Sequence, residues 1–348
     1  MRVLYAIQGT GNGHLSRAQE LIPALKKYAH VDVLISGNQS QLTTDLEFRY
    51  IMNGLTFVQG TKGNISWSGT LKNFRVRDFY RAIRSLPVEM YDLIITDFEP
   101  VSAWAGRLKG VPTVELSHQA AVIHPGSPKP DKLALLGKFV LNNYCPSSSK
   151  FGLHFDKYAP SIFTPIIRRS VRNLTPVDGS FNVVYLPAYG DSQIHHFLKQ
   201  FDSEWHVFSK HSKSVRRLGN VVFHPIEQKV FISYLEQCGG VLCGAGFELP
   251  AEAIYLEKKL LVIPLAGQYE QSCNAQALRE LGFDVMDSLD LIHYRKVQKW
   301  LNTDFQCNLN YSDNTDLIAQ KVLNVSDRML QNAEENSIQY SGLTSRLV

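Results

Sequence analysis

The sequence predicts an α/β protein built as two doubly wound, mostly parallel sheets that face a cleft. Three observations predict it. The chain of 348 residues is more than one ordinary domain uses and is enough for two, each with its own core. Short apolar runs alternate with helix-period patterns through both halves, the mark of parallel strands joined by crossover helices. The first apolar run, residues 3–7, passes directly into a glycine-rich turn and then a helical pattern, and open α/β sheets bind ligands at that strand edge.

In chain order, the first half offers strands at 3–7, 31–36, 93–96 and 111–116. The turn after the first strand reads GTGNGHLSRA, residues 9–18. Gly9, Gly11 and Gly13 allow positive φ and close approach of another molecule. Leu15, Ala18, Ile22 and Leu25 recur at helical spacing, which puts His14 at a helix N-terminus. The turn is not a dinucleotide fingerprint, because histidine stands where the third glycine belongs, and it lacks the Gly-Lys-Ser/Thr of a P-loop. The carboxyl ends of the strands lead into His14, Asp97 and His118, and one sheet edge gathers all three. Residues 60–69 and 124–131, rich in Gly, Ser and Pro, read as irregular loops over that edge.

The second half begins near Thr164, which divides the chain into domains at 1–163 and 164–330 and a tail at 331–348. Its strands are expected at 182–186, 221–223, 240–243 and 260–264. From Thr315, helical spacing of Leu317, Ile318, Val322, Leu323, Val325 and Met329 precedes the polar tail. His195, His196, His206 and His211 lack the spacing of a metal set and read as surface or loop residues.

The most informative part of this half is the block at 240–275. A strand runs into Gly244, Ala245 and Gly246, and a helix begins near Phe247, with Pro250 in its first turn where proline is tolerated. A helix N-terminus preceded by small residues is an anion site able to take a diphosphate without metal or lysine. Glu252, farther along the helix, is suited to accept from a ribose diol. Glu270 and Gln271, followed by Asn274, combine acceptors with amide groups, as sugar hydroxyls require.

This block resembles the donor-binding signature of nucleotide-sugar glycosyltransferases of the GT-B fold. That group spans UDP-glucuronosyl/macrolide glycosyltransferases and bacterial lipid-intermediate N-acetylglucosaminyltransferases. Gly244 to Gly246 match the diphosphate loop, Glu252 the ribose acid, and Glu270-Gln271-x-x-Asn274-Ala275 the sugar-contacting motif. In the first half, Gly13-His14 matches the acceptor-side Gly-His, and DLIITDFEP, residues 92–100, resembles the strand ending in the aspartate that orients the histidine. The turn after the second half's first strand departs from the family's hydroxyl- or glycine-rich pattern and reads Leu186-Pro187-Ala188-Tyr189-Gly190-Asp191. Phe223 to Ile226 resemble the loop that meets the uracil.

The resemblance implies two Rossmann-like domains and an inverting, metal-independent transfer of a hexose from a UDP-sugar to a hydroxyl acceptor. His14 is then the general base, with Asp97 or Glu99 as its partner. Gly11, Gly13, Glu99 and His118 lie on the acceptor side, and Gly244 to Phe247, Glu252, Glu270, Gln271 and Asn274 on the donor side. No cofactor is implied. The alternatives are a nucleotide-sugar 2-epimerase of the same fold, which would eliminate and re-add the nucleotide without an acceptor, and a non-catalytic sugar-nucleotide or membrane-binding protein, against which His14 and Asp97 beside the donor block argue.

Composition narrows the setting. Five cysteines without a C-x-x-C pair support neither a disulfide framework nor a zinc site and suit a reducing cytosol. The sequence opens on a strand without a secretory pattern, and no apolar run approaches a membrane span, so a soluble or peripheral protein is expected. The net charge of +4 is unevenly held. Residues 1–163 carry 18 Lys/Arg against 12 Asp/Glu, and the remainder 18 against 20. Much of the excess lies at 72–84, where Arg77, Arg81 and Arg84 share a face if the segment is helical. With the apolar segment 132–140, it points to anionic lipid at the inner membrane face and a lipid acceptor. The small excess and the lack of a recognised module argue against nucleic acid.

Overall fold

The computed structural model describes residues 1–9, 12–37, 46–52, 75–130, 135–303 and 308–325. Among these residues it is an α/β structure with two seven-stranded sheets. The first contains β1 (Arg2–Gln8), β2 (His30–Ser36), β3 (Tyr50–Met52), β4 (Leu93–Asp97), β5 (Thr113–Ser117), β6 (Ser149–Leu153) and β7 (Ile162–Phe163). Their order is β3-β2-β1-β4-β5-β6-β7, and every neighbouring pair is parallel. Helices cover both faces, so the strands are apolar without alternation. In β1, Val3, Tyr5 and Ile7 pack into one core cluster and Leu4 and Ala6 into another.

The second sheet holds β8 (Phe181–Tyr185), β9 (Glu204–Phe208), β10 (Arg216–Leu218), β11 (Val221–His224), β12 (Gly240–Gly244), β13 (Lys259–Ile263) and β14 (Asp284–Val285). The order is β10-β11-β9-β8-β12-β13-β14, with only β10 antiparallel. The helix at 315–325 returns to the first half. There Lys27 donates to Asp316, Gln320 donates to the Tyr28 hydroxyl, and Lys321 lies over the Phe163 ring.

One histidine departs from its expected surface position. His206 lies buried in β9, its Nδ1 2.9 Å from Nε2 of buried His224. Burial lowers the pKa of both rings, that of His224 to about 4, so one imidazole N–H can bond to the other's bare nitrogen.

The order of each sheet sets its ligand edge. In the first, β1 connects onward to β2 on one side and β4 to β5 on the other, so the switch point lies between β1 and β4. In the second, the same reversal falls between β8 and β12. His14 and Asp97 follow or end the strands of the first switch point, and the Gly244–Gly246 turn follows β12 at the second.

Candidate active site

Asp97 is the last residue of β4 and pairs in register with Ile7 of β1. His14 stands in the first turn of the Asn12–Leu25 helix. Its Nδ1 lies 2.9 Å from Asp97 Oδ1 and 3.2 Å from Arg17 Nη2. One turn on, Arg17 donates from Nε to Asp97 Oδ2 and from Nη2 to Asp97 Oδ1, both at 2.9 Å, a bidentate fork. Its third nitrogen, Nη1, donates to Glu248 Oε1 at 2.5 Å. Glu248 is the first residue of the Glu248–Tyr255 helix, in the other half of the molecule.

Electrostatics fix the protonation of this cluster. Burial opposes charge on Asp97, but Arg17 and His14 outweigh it and hold the carboxyl below the usual carboxylate range. An ionised Asp97 keeps the proton on His14 Nδ1 and leaves the lone pair on Nε2. Glu248 feels the opposite balance: burial, against the pull of Arg17, pushes its pKa up to about 7.

The backbone after β4 separates two carboxylates that the sequence left as alternatives. Phe98 adopts a φ of 56°, a left-handed conformation that costs a bulky residue on the order of 1–3 kcal/mol, and its ring stacks on Tyr144. The turn leaves Asp97 facing His14 and carries Glu99 into the next helix start. Fully buried Glu99 accepts from the Val101 and Ser102 amides at 2.8 and 2.7 Å and caps the Pro100–Lys109 helix. Its oxygens serve that helix, and Asp97 alone meets His14.

The glycines of the first turn act through space rather than through φ. Neither Gly9 nor Gly13 has positive φ, contrary to expectation. A Cβ on Gly9 would lie 2.8 Å from the Gly37 carbonyl oxygen, and one on Gly13 would lie 2.7 Å from Glu248 Cγ. Close packing against β2 and against the opposite half is what excludes a side chain there. Gly11 lies outside the described residues.

His118 opens the His118–Ile123 helix, capped by Ser117, whose Oγ accepts from the Ala120 amide. The ring is buried and stacks on Phe247 with centroids 4.0 Å apart. Nδ1 meets the Leu153 carbonyl and Nε2 meets Asn274 Oδ1, each at 2.7 Å. Burial holds its pKa below the ordinary histidine value, against the pull of Glu270 and of these acceptors. His118 thus bridges the halves.

On the donor side, Phe247 supplies no side-chain cap to its helix, so the first amides are not closed by one. Gly246 has no positive φ, and nothing lies within 4 Å of where its Cβ would point. The fold itself does not demand glycine there, and the space stands open beside the helix start. Asn274 Nδ2 donates to the Ala245 carbonyl at 3.1 Å and holds this turn from behind. Glu270 Oε2 accepts from Gln119 Nε2 at 3.0 Å, a further bond between the halves. Gln271 Oε1 accepts from the Leu265 amide at 2.9 Å. Both oxygens of buried Glu252 are held by Arg168, at 2.5 and 2.7 Å.

The structure thus brings His14, Asp97, His118, Gly13, Phe247, Glu270 and Asn274 together where the two halves meet. Arg17, Gln119, Arg168 and Glu248 were not singled out as site residues from sequence. Arg17 carried a readable signal, being three residues from His14 and hence on the same helix face.

The His14–Asp97 pair at the switch point of one parallel sheet thus meets, through Arg17 and Glu248, an uncapped helix start on another. The model of glycosyl transferase family 1 matches residues 1–303, and the chain belongs to that family. Similar solved structures include the spinosyn forosaminyltransferase SpnP, with a TM-score of 0.56 and 12% identity over 96% of this chain and 98% of that one. MurG of Acinetobacter baumannii has a TM-score of 0.54 and 13% identity, covering 95% and 99% of the two chains. Phytolacca americana UGT2, complexed with UDP-2fluoro-glucose and pterostilbene, has a TM-score of 0.54 and 16% identity, covering 94% of each. At these identities the likeness is one of fold. Comparison with curated protein sequences finds no match.

Proposed function

We propose that this glycosyltransferase moves a hexose from a UDP-sugar to a hydroxyl acceptor with inversion at the anomeric carbon and without a metal. The observation that carries this reading is the Arg17 guanidinium, which joins Asp97 to Glu248 and so draws the His14–Asp97 pair up to the helix start beside Gly246. His14 Nε2 takes the acceptor proton as the oxygen attacks the anomeric carbon. Asp97 stabilises the imidazolium that forms, and such proton transfer contributes roughly 10²–10⁴-fold. Attack opposite the departing diphosphate inverts the anomeric carbon. Amides around Gly246 and Phe247, at the positive end of the helix, take up the charge on the leaving diphosphate.

We assign acceptor binding to residues 1–163 and donor binding to 164–330, with the 315–325 helix packed back on the first half. Glu252 is assigned to the ribose, and Glu270, Gln271 and Asn274 to the hexose. Support for UDP comes from the resemblance of the donor block and from the UDP-sugar held by Phytolacca americana UGT2. A lipid acceptor at the inner face of the membrane fits the basic first half. Among the described residues, no group of three or more His, Cys, Asp or Glu is placed to hold a metal, and no helix is long and apolar enough to cross a membrane. The test is a panel of nucleotide-diphosphate sugars in EDTA. A bound donor at 100 times its dissociation constant stabilises the protein by about 2.7 kcal/mol, and a UDP-sugar is expected to do so and to release UDP only when acceptor is present. Stabilisation by none of the panel would sink the assignment.

A further inference from the structure

We propose that Arg17 and Glu248 are positioning residues that carry the placement of the donor-side helix to the catalytic base, an inference that rests on the transferase reading above. The geometry is a chain of three links. Glu248 Oε1 accepts from Arg17 Nη1, the Arg17 fork grips both oxygens of Asp97, and Asp97 Oδ1 accepts from His14 Nδ1. A carboxylate held by one bond can turn about its Cβ–Cγ axis. Two parallel bonds from Arg17 remove that freedom and keep Oδ1 aimed at the imidazole. The guanidinium, 2% exposed, is itself oriented by its third nitrogen on Glu248.

Gly13 gives independent support. It precedes His14, has an ordinary φ, and has no room for a Cβ because Glu248 Cγ would lie 2.7 Å away. The turn that presents the base therefore also leaves the channel through which the acid of the opposite half reaches Arg17. A carboxylate that served only the helix dipole needs no such path.

Glu248 occupies the first turn of the helix whose amides face the donor diphosphate. A diphosphate there repels the Glu248 carboxylate, which the Arg17 guanidinium already holds. Donor binding thus favours the linked arrangement, and a shift of the helix by an ångström breaks a bond on which the orientation of Asp97 depends. Misplacement of that size costs catalysis roughly 10²-fold.

The experiment compares Glu248→Gln and Arg17→Lys in the full-length chain with wild type, by steady-state kinetics and by the low-field proton resonance of His14 Nδ1–H, assigned through its loss in His14→Gln. Glu248→Gln weakens the acceptor of the Arg17 bond, and Arg17→Lys keeps a charge but removes the fork. For both, kcat is expected to fall roughly 10- to 10²-fold with the donor KM within about twofold of wild type, and the resonance to shift or broaden. Glu248, partly exposed, tolerates substitution even if Arg17→Lys fails to fold. A Glu248→Gln protein with wild-type kcat and an unmoved resonance overturns the proposal, as does one in which only the donor KM rises. Wild-type protein that turns over no nucleotide sugar would instead sink the transferase reading, and the resonance alone then decides whether Glu248 orients the His14–Asp97 pair.

Discussion

Asp97 takes three hydrogen bonds on two oxygens, one from His14 and two from Arg17, and its role follows from that arithmetic. With its charge secured by Arg17, it holds His14 in one tautomer, and the other candidate acid, Glu99, is spent as a helix cap. Both His14 and Asp97 were legible in the sequence because each follows or closes an apolar strand. Glu248 was not, since its partner Arg17 lies 231 residues away and no local pattern announces such a pairing. Glu252 shows the same limit: its position in the donor block was readable, its hold on Arg168 was not. Glu252 and Gln271 make distinct predictions for calorimetry. Glu252→Ala, which removes a charged acceptor, is expected to weaken UDP and UDP-sugar alike by about 1.5–3 kcal/mol, whereas Gln271→Ala weakens only the sugar nucleotide, by about 0.5–1.5 kcal/mol. Equal losses for both ligands in both variants would show the two assignments to be wrong.

At the scale of elements, strands buried on both faces were the easiest to read, because an uninterrupted apolar run needs no partner to be recognised. β9 was missed for the converse reason. Its sequence, EWHVF, breaks the run with Glu204 and His206, and the buried imidazole is made acceptable by His224 on one nitrogen and by Glu204, 3.3 Å from the other. The basic segment was anticipated, and the Val76–Ser85 helix carries it, with Arg77, Arg81 and Arg84 exposed. Ile83 is buried, while Tyr80 lies on the surface under the Arg84 guanidinium. Lys72 and the start of the 132–140 segment lie outside the described residues, but the Leu135–Tyr144 helix exposes Phe139. Each basic side chain near an anionic surface contributes on the order of 1 kcal/mol, screened within a Debye length. Flotation with anionic vesicles is therefore expected to show binding that falls steeply with salt and with charge reversal at Arg77, Arg81 and Arg84. No association at low salt would remove the membrane from the account and turn the acceptor towards a soluble molecule.

For the whole molecule, the sequence sufficed for two facing α/β units because each depends on local strand–helix alternation. What joins them was hidden. Arg17 to Glu248, His118 to Asn274 and Gln119 to Glu270 are polar pairs at long separation, set around the His118–Phe247 stack. Two of the side chains expected to touch donor, Glu270 and Asn274, are thus engaged with the first half, so ligand binding there must exchange some of these bonds for its own. The account rests above all on His14 as the base that acts in this cleft. Its most direct test is acceptor-dependent UDP release from a UDP-sugar by His14→Ala beside wild type, with donor affinity measured on the same preparations. The account predicts a loss of turnover of at least about 10²-fold with donor affinity near wild type; turnover comparable to wild type would contradict it.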